Sequence, residues 1–324
     1  MNNYIATYFY NDSEDLGAIY GNISLDLYER NIIYWQTVYT FYLSAYLNNR
    51  CENINYILFT NIKNFPFRAE IESLGVTIYD NLLLTHRGNK KWATVKFFFD
   101  VLNYIEISNH FKYGDKFVLL DTDVLAQHNS KEIFDFLNLN KRPLTFINAH
   151  NVNKSDILHG LTISRLEEIC LNVFNVTGSI NASIGGEFFG FKKGYIDDVL
   201  IIFDKLLGSK YSDELSTEEQ ILTITNSLIV FSQFPYAICR IWSSLSFIKI
   251  PKNIERFIWL HLPSEKEDGL NVLFNMFKSV PANKLDGSNF TKILFEVIPL
   301  KSRRYLLFKK IINKVKNYMH LRLF

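Results

Sequence analysis

The stretch Phe117-Val-Leu-Leu-Asp-Thr-Asp-Val124 decides the fold of this chain. The run at 116–120 is typical of a strand that is buried in a parallel sheet. Asp121 and Asp123 follow where the strand ends, and the turning backbone there lets both carboxylates point into one crevice. Carboxylates are hard oxygen ligands that suit Mn²⁺ or Mg²⁺. The pattern therefore predicts a metal site, although an ordinary polar turn after a strand would contain the same residues.

Strand and helix patterns alternate on both sides of this stretch. The sequence predicts strands at 4–10, 54–60, 76–79, 116–120 and 183–191, and helices at 31–47, 67–74, 92–107, 163–173 and 195–207. Such alternation predicts an α/β fold, a doubly wound sheet with helices on both faces. Ligands of these sheets bind beyond the carboxyl ends of the strands, which is where Asp121 and Asp123 stand.

The composition fits a folded protein that does not bind nucleic acid. The 324 residues are 48% hydrophobic and 21% charged, which allows a large core and argues against disorder. The net charge of +2 argues against a general nucleic-acid binder. Three widely spaced cysteines form neither a disulfide framework nor a metal pattern, and the N-terminus lacks the layout of a signal peptide. We therefore expect a cytoplasmic protein.

A longer segment carries a resemblance to a known family. Tyr113-Gly-Asp-Lys-Phe-Val-Leu-Leu-Asp-Thr-Asp-Val124, followed by Ser130-Lys-Glu-Ile-Phe134, resembles the D-x-D region of GT-A-fold glycosyltransferases. The likeness is to family 8 and related bacterial enzymes of capsule and lipopolysaccharide synthesis, and it extends in order and spacing over residues 4–262. It implies a Rossmann-like catalytic domain at 1–262 with a helical insertion at 150–180 on the acceptor side. A connecting segment at 263–299 and a C-terminal helix at 300–324 would follow.

The resemblance also implies the substrates. The donor is a nucleotide diphosphate sugar, with a UDP-sugar favoured, and the acceptor is a saccharide or lipid-linked saccharide in surface polysaccharide synthesis. In these enzymes the first strand and its loop hold the nucleotide, which assigns three residues to the donor: Thr7, Tyr8 and Tyr10. Packing within the strand is the alternative for all three. A basic residue before the D-x-D strand reaches the phosphates or the sugar; Lys96 matches loosely, and Arg87 and Lys91 are rivals.

Three metal ligands are implied by the same resemblance. Asp121 contacts the metal or the nucleotide ribose, and Asp123 ligates the metal. The third is His261, which follows a strand-like run in Ile258-Trp-Leu-His-Leu-Pro263; neutral imidazole suits Mn²⁺, and a locally bonded histidine is the alternative. The chain departs from family 8 downstream, because Ser264-Glu-Lys-Glu-Asp268 stands where a glycine and Lys-Pro-Trp are usual.

Ile184-Gly-Gly-Glu-Phe-Phe-Gly-Phe191 resembles the strand that faces the sugar in GT-A enzymes. Gly185 and Gly186 would let the backbone approach a bound sugar, since glycine has no side chain. Glu187 would form hydrogen bonds with sugar hydroxyls. A strand with bulges is the alternative explanation of this segment.

Ser216-Thr-Glu-Glu-Gln-Ile-Leu222 has the pattern of a helix start, with Ser216 as the cap and Glu219 at the third helical position. Many GT-A enzymes carry a catalytic acid at such a position. Glu218 or Glu219 would act as a general base in an inverting reaction, or stabilise the transition state in a retaining one. A capping box without catalysis is the alternative.

Other functions remain open at this stage. A sugar-nucleotide pyrophosphorylase should have a glycine-rich, arginine-containing loop after the first strand, whereas this chain has the acidic Asn11-Asp-Ser-Glu-Asp15. A non-catalytic carbohydrate- or partner-binding domain would not need both aspartates. A host-directed effector that glycosylates a protein is a third alternative, which tests on protein and saccharide acceptors would distinguish.

The C-terminal tail is strongly basic. From Val297 to Phe324 there are eight basic residues and no acidic ones, while the rest of the chain has a net charge of −6. Apolar residues recur there at helical spacing, which predicts a basic amphipathic helix on an anionic membrane surface, at the inner face of the plasma membrane. Under this hypothesis, removing the tail leaves hydrolysis of the free nucleotide sugar intact. A helix docked on the acidic body and an oligomer interface are the alternatives.

Overall fold

The structure, a computed structural model, describes residues 1–11, 27–86, 93–177, 179–244, 247–298, 307–308 and 310–315. Within these residues a central six-stranded sheet separates two hydrophobic clusters, and helices cover both of its faces. This arrangement confirms the predicted α/β fold. The stretch that predicted it forms a strand in the interior of the sheet, and all five residues of that strand are buried.

The strands have the following bounds. In chain order they are β1 (Asn3–Phe9), β2 (Ile54–Thr60), β3 (Val76–Tyr79), β4 (Lys116–Leu120), β5 (Val124–Ala126), β6 (Leu144–His150), β7 (Ile157–Leu158), β8 (Leu161–Thr162), β9 (Ala182–Lys192), β10 (Ile238–Arg240), β11 (Trp242–Ser243), β12 (Ile248–Lys249) and β13 (Trp259–His261). The central sheet has the order β3-β2-β1-β4-β9-β6, and β9 runs antiparallel to both of its neighbours. The other pairs in this sheet are parallel.

The α-helices are also given in chain order. They are α1 (Leu27–Asn48), α2 (Arg68–Ser73), α3 (Phe97–Ile107), α4 (Lys131–Leu139), α5 (Ile163–Phe174), α6 (Asp197–Leu207), α7 (Glu218–Leu228), α8 (Asn271–Phe277) and α9 (Gly287–Val297). Buried residues of α1, α8 and α9 share one hydrophobic cluster, and those of α3, α5, α6 and α7 share the other. None of the described helices is both long enough and apolar enough to cross a membrane.

A smaller sheet, β10-β13-β5, extends from the end of β4. β13 pairs with β10 in parallel and with β5 in antiparallel orientation. Its register puts His261 opposite Arg240 on one side and opposite Val124 on the other. Val124 directly follows Asp123, so this sheet carries the predicted histidine to the predicted aspartates.

Several elements differ in detail from their sequence predictions. The helix expected at 92–107 starts as a 3-10 turn, Ala93–Lys96, before α3. The insertion at 150–180 contains the hairpin β7–β8 as well as α5. The segment at 263–299, expected as a connection, folds into a π-helix (Lys266–Leu270), α8 and α9, which pack in the core with α1. The tail is helical at 307–308 and 310–315, and the rest of 300–324 lies outside the described residues.

Candidate active site

Two sheets meet at the segment between β4 and β5 that carries Asp121 and Asp123. On the β9 side, the Asp121 N–H donates to the Glu187 carbonyl at 3.2 Å. On the β13 side, the Leu262 N–H donates to the Asp123 carbonyl at 3.0 Å. These pairings bring Glu187, both aspartates and His261 together from distant parts of the chain, and we call the place where they meet the crevice.

The three predicted metal ligands lie together. One ligand atom from each of Asp121, Asp123 and His261 falls within 4.8 Å of the others. His261 Nε2 is 3.3 Å from Asp123 Oδ1 and 3.9 Å from Asp121 Oδ2. This nitrogen is buried, and it faces these two carboxylates. Two carboxylates and an imidazole nitrogen are donors that suit Mn²⁺, so the residues fit the predicted metal.

Glu187 orients the ring of His261. Its Oε1 atom is 3.2 Å from His261 Nδ1, which directs Nε2 at the aspartates. Arg240 donates to both oxygens of Glu187, through Nε at 2.7 Å and Nη2 at 2.5 Å. A carboxylate that holds the second nitrogen of a metal-binding histidine fixes the tautomer and the ring. The Glu187 side chain is 0% exposed, so its contacts favour this supporting role over the predicted bond with a sugar hydroxyl.

Arg240 also joins the crevice to helix α7. Its Nη2 atom lies 2.5 Å from Glu219 Oε1, and Glu219 Oε2 lies 2.9 Å from His159 Nε2. His159 stands at the tip of the hairpin β7–β8, where Gln220 Nε2 donates to the Leu158 carbonyl at 2.9 Å. This hairpin belongs to the insertion at 150–180, so Arg240 connects the three predicted metal ligands with the insertion.

Glu218 lies directly over Gly186. A Cβ atom at Gly186 would be 2.1 Å from Glu218 Oε1, and one at Gly185 would be 2.2 Å from Glu187 Oε2. The two glycines thus make room for carboxyl groups of the site itself. Glu218 Oε2 is buried, and no group in the described part of the chain bonds to it. Burial, together with the charges of Asp121 and Glu219, raises the pKa of Glu218 well above its ordinary value.

The start of α7 is shifted by one residue from its prediction. Thr217 is the cap, and Gln220 occupies the third helical position that was expected for Glu219. Gln220 Oε1 accepts the N–H groups of Ser216 at 2.7 Å and Thr217 at 3.1 Å. The prediction of Ser216 and Glu219 as the capping pair is therefore wrong, because the glutamine takes the reciprocal bond and Glu219 turns to Arg240 instead.

Lys266 is a site residue that the sequence patterns did not identify. It is 4% exposed, and its ammonium group forms a hydrogen bond with Asp123 Oδ2. Although burial acts in the opposite direction, Lys266 and His261 hold the pKa of Asp123 below its ordinary range. Burial and the neighbouring Asp123 raise the pKa of Asp121 to about 6. Asp123 therefore presents Oδ1 towards His261, while Oδ2 stays with Lys266.

The first strand reaches the crevice through Tyr8. The Tyr8 hydroxyl donates to Asp121 Oδ1 at 3.2 Å. Thr7 is fully buried and donates to the Leu120 carbonyl at 2.6 Å, which is a contact between strands. Tyr10 packs its ring against the start of α3. Nucleotide binding stays a prediction for these three residues.

Lys96 lies at the start of α3 and is 2% exposed. Its Nζ atom donates to the Ser212 carbonyl at 2.8 Å, which ties α3 to the loop before α7. Its predicted contact with donor phosphates therefore stays a prediction. The rival candidates Arg87 and Lys91 lie outside the described residues.

No family profile and no curated protein sequence matches this chain. Among solved structures, the glycosyltransferase GlyE of Streptococcus pneumoniae TIGR4 is 14% identical, covering 91% of this chain and 63% of its own, with a TM-score of 0.44. Mouse xyloside xylosyltransferase 1 is 8% identical, covering 81% of this chain and 97% of its own, with a TM-score of 0.47. The bifunctional glycosyltransferase WbbM is 9% identical, covering 96% of this chain and 52% of its own, with a TM-score of 0.50.

These likenesses bear on the fold and not on the activity, because the sequence identities are so low. WbbM carries the comparison, since its TM-score of 0.50 is the highest of the three. This chain spans only 52% of the length of WbbM and 63% of that of GlyE. The mostly parallel sheet and the Asp121–Asp123 segment at the end of β4 agree with that likeness. The chain thus has a GT-A-like glycosyltransferase fold.

Proposed function

We propose that this chain is a metal-dependent glycosyltransferase that takes a sugar from a nucleotide diphosphate sugar, with a UDP-sugar as the favoured donor. One observation carries the proposal: Asp121, Asp123 and His261 converge at the end of a central strand, with His261 Nε2 buried and directed at the aspartates. The acceptor that we propose is a saccharide or lipid-linked saccharide of surface polysaccharide synthesis. The GT-A-like fold supports glycosyl transfer in general terms.

In this mechanism each residue has a chemical task. Asp121, Asp123 and His261 would hold Mn²⁺ or Mg²⁺, and the bound ion would offset the negative charge that develops on the departing nucleoside diphosphate. Lys266 supplies a second cation beside Asp123 for the diphosphate oxygens. Glu187 holds the His261 ring in its ligating orientation. Because these residues are buried and charged, they are suited to stabilising the departing nucleoside diphosphate.

Glu218 is the residue that we propose for the sugar end of the reaction. Its carboxyl group reaches into the crevice over Gly186. As a base, it would accept the proton of the acceptor hydroxyl in an inverting reaction; as a carboxylate, it would stabilise an oxocarbenium-like transition state in a retaining one. Glu219 already contacts Arg240 and His159, so Glu218 is the better candidate for the catalytic carboxyl group.

A donor-hydrolysis screen over nucleotide sugars, with and without Mn²⁺, tests the proposal. We expect release of UDP that EDTA abolishes and added Mn²⁺ restores. Asp123→Asn should lower turnover on the order of 10²–10⁴-fold, because the amide keeps the shape but loses the charge that holds the ion. Full activity in the presence of chelator would exclude the metal role, and the absence of turnover with every donor would favour a binding domain.

We propose further that the acceptor side of this enzyme works at an anionic membrane. The described part of the C-terminal helix exposes four apolar side chains: Leu307, Phe308, Ile311 and Val315. Besides Lys310, which is buried, the sequence from Val297 to Phe324 has seven basic residues and no acidic ones, which complements anionic headgroups. A peripheral position at the inner face of a plasma membrane would bring the crevice close to a lipid-linked acceptor.

A further inference from the structure

The π-helix that follows His261 has contacts in two directions. Lys266, at its first position, bonds to Asp123 in the crevice. Glu265, the residue before it, and Asp268, within it, contact Lys310 of the C-terminal helix. One turn of backbone therefore carries both a cation of the candidate active site and the anchor for the tail.

The anchor for the tail consists of Glu265 and Asp268, and both residues bond to polar groups. Glu265 is 0% exposed; its Oε1 atom accepts the Ser243 hydroxyl and, at 3.2 Å, Lys310 Nζ, while its Oε2 atom accepts the Gly269 N–H at 3.1 Å. Lys310 Nζ also lies 2.7 Å from Asp268 Oδ2. Lys310 itself is 7% exposed. This lysine is thus an interior contact and not one of the solvated charges that the sequence of the tail suggested.

The two faces of the tail helix differ accordingly. Lys310 and Asn313 are buried, and Asn313 Nδ2 donates to the Val297 carbonyl at 3.3 Å. Lys314 is exposed on the same helix. Removing one partner of a buried ion pair leaves the other charge uncompensated, which is costly, whereas removing an exposed charge changes little. Loss of Lys310 would therefore shift Glu265, and with it the adjoining Lys266.

We infer that Lys310 is a positioning residue for Lys266, so that the docked C-terminal helix sets the affinity of the crevice for a nucleoside diphosphate. The inference rests on the proposed function, because it assigns Lys266 to the diphosphate. It also changes an expectation for the tail. Deleting residues 300–324 would impair the use of the free nucleotide sugar itself, in addition to any membrane contact, because Lys310 is removed with the rest.

The experiment compares substitutions at two lysines of one helix. Lys310→Met and Lys314→Met each remove a single positive charge from the tail, but only Lys310 is buried against Glu265. Binding of UDP in the presence of Mn²⁺ is measured by calorimetry, and kcat and KM are measured for hydrolysis of the UDP-sugar found in the donor screen. We expect Lys310→Met to weaken UDP binding and to raise KM, each on the order of 10-fold. This is the effect typical of losing a residue that orients a ligand-binding side chain. Lys314→Met should match the wild type.

Two more variants separate positioning from folding. Lys310→Arg keeps the positive charge and should retain most of the UDP affinity of the wild type. Asp268→Asn weakens the acidic partner of Lys310 and should lower UDP affinity, but less than Lys310→Met does. A fall in melting temperature for Lys310→Met with unchanged UDP affinity would overturn the inference. Equal effects of Lys310→Met and Lys314→Met would overturn it too. A wild-type protein that does not bind UDP would contradict the proposed function, and this inference with it.

Discussion

At the scale of single residues, Glu218 combines a proposed catalytic role with a cost to the stability of the fold. Its raised pKa means that the folded chain holds the proton more tightly than the unfolded chain, whose glutamate titrates near 4.5. The protonated carboxyl therefore contributes its full stability to the fold below about pH 4.5, the pKa in the unfolded chain. This contribution is lost as the pH rises towards the higher pKa of the folded chain. The same deprotonation produces the base that the proposed inverting reaction would need.

We therefore predict opposite effects of Glu218→Gln on activity and stability. Turnover should fall on the order of 10²–10⁴-fold, because the amide cannot accept a proton, while UDP binding stays normal. At pH 8 the melting temperature should rise, because the uncharged amide avoids the burial of a carboxylate. Steady-state kinetics and thermal unfolding at pH 5 and pH 8 provide the measurement, with the gain in stability expected to be larger at pH 8.

Glu219→Gln provides the comparison for this prediction. It weakens the ion pair with Arg240 and the contact with His159, so it should lower the melting temperature at both pH values. Wild-type turnover by Glu218→Gln would remove Glu218 from the mechanism. A lower melting temperature for Glu218→Gln at pH 8 would show that its carboxyl group stabilises the fold.

Residue types alone identified part of this site. Asp121 and Asp123 stood out because they follow an apolar strand, whereas Glu218 and Glu219, at a helix start, were named with the help of the resemblance. Lys266 and Arg240 did not stand out, since their meaning depends on partners in other elements. Arg240 lies in a strand that is otherwise apolar, and such an isolated charge was a usable signal. The capping pair was misplaced because Ser216 and Thr217 are both good caps, and only the position of Gln220 decides between them.

At the scale of elements, strand β9 requires glycine where α7 crosses it. We predict that Gly186→Ala lowers turnover strongly, because a Cβ atom there would lie 2.6 Å from Glu218 Cγ as well as 2.1 Å from Oε1, and so displaces the whole side chain. Mn²⁺ binding should remain, since the three ligands lie outside this contact. Turnover and Mn²⁺ affinity are measured together on the same preparation.

Gly190→Ala is the matched control, because it adds the same methyl group to the same strand. Its nearest neighbour would be Leu144 Cβ at 3.2 Å, a contact that a small adjustment relieves. This variant should keep most of the activity. If Gly186→Ala were as active as Gly190→Ala, Glu218 would not need its position over the strand.

Arg240 connects three elements, β9 through Glu187, α7 through Glu219, and β10 through its own backbone. We predict that Arg240→Lys weakens Mn²⁺ binding about 10- to 100-fold, because lysine keeps the charge but cannot bind both oxygens of Glu187 and so leaves His261 less well oriented. Electron paramagnetic resonance of free Mn²⁺ in a titration gives the affinity. Circular dichroism in EDTA verifies that the metal-free protein is folded.

Arg165→Lys serves as the control for that substitution. Arg165 also binds a glutamate with two nitrogens, at 3.0 and 2.8 Å to Glu214, but it contacts none of the metal ligands in the described structure. Its replacement should leave Mn²⁺ affinity at the wild-type value. Identical Mn²⁺ affinities for Arg240→Lys and wild type would mean that Glu187 orients His261 without help.

The elements of the first half were predictable because their signals are local. Apolar runs gave β1 to β4 to within a residue or so, and apolar spacing gave α1 and α3. The pairing of β9 with both β4 and β6, and of β13 with β5 and β10, joins segments far apart in sequence. No local pattern specifies such partners, so the sequence did not predict the small sheet, and only the resemblance pointed to His261 as a metal ligand.

At the scale of the whole molecule, the exposed face of the C-terminal helix predicts an association with membranes. The full chain should bind vesicles that contain anionic lipid at low salt, bind neutral vesicles much less, and dissociate as the salt concentration rises. A variant with Phe308→Ser, Ile311→Ser and Val315→Ser should lose the binding, because these exposed side chains provide the apolar contact. Vesicle sedimentation measures both.

UDP affinity in solution is the control for that experiment, because the three serine substitutions leave Lys310 in place and should not change it. Failure of the wild-type chain to bind anionic vesicles at low salt would rule out the membrane hypothesis, and assembly with another copy would become the better explanation of the exposed face. The amphipathic pattern predicted this helix, but the sequence did not reveal that Lys310 turns inward, because its partners Glu265 and Asp268 belong to a different segment.

The register of the small sheet limits how this molecule can vary in evolution. His261 lies opposite Arg240 and Val124 in a strand of three residues, so inserting or deleting one residue just before it would turn the imidazole to the opposite face. Substitutions that keep the length leave that geometry intact. Descendants of this sequence should therefore tolerate exchanged side chains around β13 but hardly any change in its length, and insertions should accumulate in the exposed connections instead.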